Sequence, residues 1–137
     1  MPYRVTKTID FSYGHRLLNY NGPCRHLHGH NGRLEIILGS TKLDPRGMVV
    51  DFADIKMKIK RWVDDHWDHR MILNKKDPWL PELKKLDSTI VTVDDNPTAE
   101  HLSRLLFEVV RKLGFPVVEV RLWETPASWA SYRLTST

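Results

Sequence analysis

Tyr3-Arg-Val-Thr-Lys-Thr-Ile-Asp-Phe-Ser-Tyr-Gly-His15 and His28-Gly-His-Asn-Gly-Arg-Leu-Glu-Ile-Ile-Leu38 are the two stretches on which the fold turns. In the first, Tyr3, Val5, Ile9, Phe11 and Tyr13 occupy odd positions against mostly polar even ones, the period of a half-buried strand. In the second, His28, His30, Leu34, Ile36 and Leu38 share the even face, while Asn31, Arg33 and Glu35 take the odd one. Between them, Leu17–Leu27 carries Asn19, Asn21, Gly22 and Pro23, the composition of a loop. A hairpin with a long, irregular connection follows, and it brings His15 opposite the His28/His30 end.

Outward from the hairpin, Asp44-Pro45-Arg46-Gly47 marks a turn, and Asp51 is placed to cap a helix whose apolar positions are Ile55, Ile59, Trp62, Val63 and His66. Residues 74–86, with Pro78 and Pro81, read as an irregular connection, and Ser88–Val93 as a β-branched strand. Asn96-Pro97 opens a second helix with Pro97 at its first position, an apolar stripe of Ala99, Leu102, Leu105, Leu106, Val109 and Leu113, and a stop at Gly114. Val118, Val120 and Leu122 alternate up to Glu124; Pro126 interrupts, and Ala130, Tyr132 and Leu134 resume the strand. The order β-β-α-β-α-β-β predicts an α+β layer with mainly antiparallel strands. Two helices cover one face of such a sheet, which leaves oligomerisation to bury the other.

The whole chain, 1–137, reads as a single domain: 137 residues, 41% hydrophobic and 28% charged, with no internal repeat or low-complexity tract. A formal net charge of +4 suits a phosphorylated small molecule, while the scatter of basic residues argues against nucleic acid. No apolar stretch approaches the roughly 20 residues of a membrane span, and residues 1–15 lack a signal-peptide core. The single cysteine excludes an intramolecular disulfide and fits a reducing, cytoplasmic setting.

Seven histidines accompany that cysteine, four of them within residues 15–30. His28 and His30, at i and i+2 of a strand, face the same way, and His15 matches them from the other strand. Three neutral imidazoles without a fourth protein ligand describe an open, catalytic zinc site; copper, nickel and iron also accept nitrogen ligands. His26, in the loop, is not separated from this set by parity. Cys24 reads either as an inert small residue or, beside a cation, as a thiolate. Asp68-His69 is general acid–base equipment or simply a polar helix end. Glu124 has the parity of the apolar side, where a carboxylate must find donors; the N–H edge of a 2-amino-4-oxo heterocycle would supply two. Strand fraying at Thr125-Pro126 would expose it instead. Glu100 is accounted for as a partner of the helix dipole.

These pieces together resemble the 6-pyruvoyltetrahydropterin synthase/6-carboxytetrahydropterin synthase family, the T-fold (tunnelling-fold) pterin enzymes. The resemblance runs from about Phe11 to Tyr132. It rests on Phe11-Ser-Tyr-Gly-His15-Arg16, Cys24-Arg-His-Leu-His28-Gly-His30, Gly47-Met-Val-Val-Asp51-Phe52, Trp67-Asp68-His69, Asn96-Pro97-Thr98-Ala99-Glu100 and Glu124-Thr125-Pro126. It implies that His15, His28 and His30 are zinc ligands, that Cys24, Asp68 and His69 are catalytic, and that Glu124 anchors the pterin. It also implies a four-stranded antiparallel sheet with two helices on one face, and subunits forming a trimeric barrel, commonly doubled to a hexamer, with interfacial active sites. The segment from His69 to Asn74 is longer than in many family members.

The implied reaction is zinc-dependent lyase chemistry on 7,8-dihydroneopterin triphosphate. Carbon–carbon cleavage releases acetaldehyde and triphosphate and gives 6-carboxy-5,6,7,8-tetrahydropterin, on the route to queuosine and related deazapurines. Elimination of triphosphate without cleavage gives 6-pyruvoyltetrahydropterin, on the route to tetrahydrobiopterin. The start at Met1 with almost no extension and the compact Glu124-Thr-Pro ending resemble the carboxy-forming branch. Arg16, Arg25 and nearby lysines are candidates to receive the triphosphate. A non-catalytic pterin- or metal-binding subunit would not need a reactive thiol, and a generic zinc hydrolase would need a carboxylate base near the metal.

Overall fold

The computed structural model describes residues 1–134. Strand β1 (Tyr3–His15) pairs antiparallel with β2 (His28–Ser40) along its full length, from Tyr3↔Ser40 to His15↔His28. The connection contains one turn of 3-10 helix, Pro23–Arg25. A continuous helical segment follows: α1 (Phe52–Ile55), a π-helical turn (Lys56–Lys60) and α2 (Arg61–His66). The Asp51 carboxylate caps it, accepting the Ala53 N–H at 2.9 Å.

The sheet corrects the four-stranded expectation. Among the described residues it has six strands in the order β4-β3-β1-β2-β5-β6 and is mixed rather than antiparallel. Strand β3 (Arg70–Asn74) lies in the segment that reads as an extension after Asp68-His69, and β4 (Val91–Val93) is shorter than the predicted Ser88–Val93 strand. Both pair in parallel, β3 with β1 and β4 with β3. Parallel pairing needs a crossover. The connection from β3 to β4 contains α3 (Leu80–Leu86), within the stretch expected to be irregular; Pro81 sits in its first turn, where a missing N–H costs nothing. On the other side β2 pairs antiparallel with β5 (Val117–Thr125), and β5 with β6 (Ser128–Arg133).

Helix α4 (Ala99–Lys112) begins two residues later than the Asn96-Pro97 signal predicts. Thr98 is the cap, its hydroxyl accepting the His101 N–H at 3.1 Å, and Pro97 lies outside the helix. Gly114 ends it with φ +95°, a conformation a side chain would strain. Leu105, placed on the apolar stripe by its spacing, faces outward; the buried residues are Ala99, Leu102, Ser103, Leu106, Phe107 and Val110.

Both long helical segments bury against the same face. Ile55, Ile59 and Val63 join Leu102, Leu106 and Val110 over Ile9, Phe11, Leu34, Ile36, Val120 and Leu122. The other face carries no helix and is laced by polar contacts: Arg33 donates to Asp10 at 2.8 Å, the Trp123 indole N–H donates to Glu35 at 3.2 Å, and Arg121 pairs with Glu35 and Glu119. Among the described residues no helix is long and apolar enough to cross a membrane.

Candidate functional site

The β1/β2 register places His15 directly opposite His28 and Tyr13 opposite His30, so the three imidazoles meet at one end of the helix-covered face. One ligand atom from each lies within 4.8 Å of the others. His15 is 2% exposed, and its Nδ1 lies 2.6 Å from the Pro97 carbonyl oxygen. Since that oxygen only accepts, Nδ1 carries the proton and Nε2 presents a lone pair. The same logic holds for His28, whose Nδ1 donates to the His26 carbonyl at 2.7 Å. His28 Nε2 is a buried nitrogen without any hydrogen-bond partner. His26 therefore serves through its backbone.

His30 Nε2 lies 3.1 Å from His15 Nε2 and 3.3 Å from Glu124 Oε2. With His15 Nε2 an acceptor, His30 must hold its proton on Nε2 here. Burial pushes His15 down to about 4, against the Pro97 bond and with the help of His28 and His30. It also lowers His30, more than Glu124 raises it. The inward lone pairs of His15 and His28, the latter buried and orphaned, fit a divalent metal, whose binding at His30 Nε2 would replace the proton there. Glu124 has turned to this corner as its parity predicts, half-buried beside His30 rather than frayed into solvent.

Asp68 and His69 stand in the turn between α2 and β3. Adjacent side chains rarely meet on a helix, but His69 has φ +59°, and this left-handed turn brings its Nδ1 to 2.9 Å from Asp68 Oδ2. Ser12 fixes the turn twice: its N–H donates to Asp68 Oδ1 at 2.9 Å, and its carbonyl accepts the His69 N–H at 2.6 Å. Burial works against the Asp68 charge, but the Ser12 and His69 bonds outweigh it and hold the acid below the usual carboxylate range. The His69 side chain is 80% exposed. It borders a cleft of about 730 Å³ on the uncovered sheet face, lined also by Ser12, Arg33, Glu35, Asp68 and Trp123.

Cys24 is half-exposed in the 3-10 turn, where its carbonyl accepts the Leu17 N–H at 2.9 Å. Among the described residues no hydrogen bond joins it to His69 or to the three histidines. Arg16, a candidate for the triphosphate, is otherwise engaged: it makes a buried two-pronged pair with Asp77 (2.6 and 2.5 Å), donates to the Arg25 carbonyl and stacks on Trp79 at 3.6 Å. Arg25 is exposed, and among the described residues its guanidinium donates to Asn21 and His26.

Sequence reasoning missed the residues that hold these groups: Ser12, Pro97, Asp77 and Asn96. Asn96 accepts the Leu18 N–H, donates to the Leu18 carbonyl and accepts from Asn74, tying the Cys24 loop to β3. The Asn96-Pro97 pair was visible as a helix signal, not as a clamp.

The family model for 6-pyruvoyl tetrahydropterin synthase matches residues 4–135. The chain belongs to that family. A 6-carboxy-5,6,7,8-tetrahydropterin synthase of Rickettsia conorii is 36% identical over 130 residues, covering 90% of this chain and 94% of the relative. One of Aquifex aeolicus is 33% identical over 161 residues, covering 97% and 99%. Among solved structures, a protein of Wolinella succinogenes superposes with a TM-score of 0.83 at 30% identity, covering 96% and 97% of the two chains. The 6-pyruvoyl tetrahydropterin synthase of Caenorhabditis elegans gives 0.72 at 27% identity, covering 97% and 96%. Within the 6-pyruvoyl tetrahydropterin synthase family fold, the histidine cluster and the Asp68–His69 turn therefore lie on a scaffold that extends over almost the entire chain.

Proposed function

We propose that this protein is a zinc-dependent 6-carboxy-5,6,7,8-tetrahydropterin synthase, a lyase that converts 7,8-dihydroneopterin triphosphate with release of acetaldehyde and triphosphate. The observation that carries the reading is the corner of three imidazoles whose His28 Nε2 is buried and unpartnered, in a chain so similar to relatives bearing that name. Zinc held by His15, His28 and His30 would supply Lewis acidity toward the substrate's side-chain hydroxyls. The remaining roles fall to the chain itself. Glu124, beside this corner, grips the donor edge of the pterin with two hydrogen bonds. Cys24 as a thiolate takes a proton from the substrate side chain. His69 relays protons, with Asp68 holding its Nδ1–H and leaving Nε2 free to accept. Arg25 and neighbouring lysines, rather than Arg16, receive the triphosphate.

The absence of any hydrogen bond between Cys24 and His69 among the described residues, the exposure of His69 and the uncovered sheet face support a homotrimer or hexamer in which a second subunit completes each site. The lone free thiol is in keeping with a cytoplasmic setting. The alternative, 6-pyruvoyltetrahydropterin formation, draws on the likeness to the Caenorhabditis elegans enzyme. Incubation of zinc-loaded protein with the triphosphate separates the two: acetaldehyde is expected, and a pyruvoyl product without acetaldehyde overturns the carboxy assignment.

A further inference from the structure

Tyr13 is 3% exposed, and its hydroxyl is a buried polar atom with no hydrogen-bond partner. Such a group carries a standing desolvation cost that phenylalanine would avoid, so its presence calls for a partner that this arrangement withholds. The ring is firmly placed. It stacks on Phe11 at 4.9 Å between centroids and meets His15 and His30 at 5.3 and 5.6 Å.

From β1 the ring reaches over β2 at Gly32, where a Cβ would lie 2.9 Å from Tyr13 Cε1. The β2/β5 register pairs Arg33 with Trp123, so one step further Gly32 lies across from Glu124. The Glu124 carboxylate is on the same side of the sheet as the ring, since its Oε2 is 3.3 Å from His30 Nε2. A phenol is protonated at neutral pH and hence a donor. The Glu124–His30 contact depends on a proton at His30 Nε2. A nitrogen that gives its lone pair to a metal has no proton to donate, so metal ligation through His30 Nε2 and this contact exclude each other.

We propose that Tyr13 is a positioning residue for Glu124: when Glu124 is released from His30, the buried Tyr13 hydroxyl donates to its carboxylate and holds it in place for a pterin ring. The proposal rests on the reading of Glu124 as the pterin anchor. It gives the orphaned hydroxyl its partner, and it is in keeping with the glycine at position 32, where a Cβ would crowd the Tyr13 ring as well as Phe11.

The test uses zinc-loaded wild type, Tyr13→Phe and Glu124→Gln, with neopterin as a fluorescent 2-amino-4-oxo probe, and reads affinity, zinc content and Tm together. Expected are saturable binding by wild type, a loss of a hundredfold or more in Glu124→Gln, and a loss of about tenfold in Tyr13→Phe. Zinc content should be unchanged, and the Tm of Tyr13→Phe should equal or exceed that of wild type. Wild-type affinity in Tyr13→Phe alongside a weakened Glu124→Gln overturns the proposal and leaves the pterin reading standing. A Tyr13→Phe variant that loses affinity together with Tm or zinc assigns the hydroxyl a structural role, which also overturns it. Unchanged affinity in Glu124→Gln, or no binding by wild type, overturns the anchor reading itself.

Discussion

The two chemical corners of this molecule are built in opposite ways. The histidine corner stands on two long paired strands, is shielded by the core and has imidazoles oriented by main-chain carbonyls, Pro97 for His15 and His26 for His28. The Asp68–His69 corner stands on a turn, is open to solvent and depends on one left-handed residue stitched to Ser12. The first is pre-organised to bind something fixed, at the cost of burying nitrogen without partners. The second is held by few contacts, as suits the proton-exchanging role at a subunit interface proposed for it. Changes in the first should thus remove the metal and everything downstream, and changes in the second should leave the metal and alter rate.

The largest effect belongs to the histidine corner. His28→Ala should lose stoichiometric zinc, read by atomic absorption, and with it all turnover. Retained zinc would mean that the orphaned nitrogen is not a ligand and that the contrast between the corners is mistaken. Cys24→Ala comes next: turnover abolished with zinc retained. Full activity in that variant, or unchanged rates after thiol alkylation, would move the chemistry toward a hydrolase using a carboxylate such as Glu124, which does stand close to the histidines.

The turn gives a smaller and separable effect. His69→Gly removes the imidazole while relieving the φ +59° backbone, so the rate should fall by about 10²- to 10⁴-fold. Stability should stay within about 1 kcal/mol of wild type, because the gain in backbone comfort offsets the glycine's entropy and the lost hydrogen bond to Asp68 is made by an exposed side chain. Unfolding in urea together with zinc analysis checks both. A variant that unfolds or loses zinc would make the turn a structural element.

This difference in construction also explains what could be read from the residues alone. Alternation has a period of two, so the parity of Tyr13, His15, His28 and His30 determined which side chains share a face, and the hairpin register then brought them together. Glu124 was legible for the same reason. The Asp68–His69 bond was not, because it requires a positive φ at a histidine, which no pattern announces. Strand β3 was illegible for another reason: Met71-Ile72-Leu73 is too short a run to identify a strand, and its parallel partner β1 lies far away in sequence. Asp77 read as part of an irregular connection and Asn96 as a helix signal, and neither announced a clamp, because their partners, Arg16 and Leu18, lie just beyond the end of β1, where there is no period to read.

The smallest expected effect is the most specific to the turn. In Asp68→Asn the amide oxygen can still accept the Ser12 N–H, but the NH2 group then faces His69 Nδ1 and favours the tautomer with Nε2 protonated. His69 would then lack the free Nε2 lone pair a base needs, and the rate should fall about 10- to 100-fold with the fold intact. The pH dependence has a definite sign. Because the folded Asp68 pKa is depressed, its bonds stabilise the native state fully above the unfolded value near 4, and that contribution is lost as pH falls through the folded value. Wild type should therefore exceed Asp68→Asn in urea stability at pH 7, and the gap should shrink at pH 3. A gap of equal size at both would mean that Asp68 shapes the turn through geometry alone, with no contribution from its charge, and the proton-relay role assigned to the pair would lose its electrostatic basis.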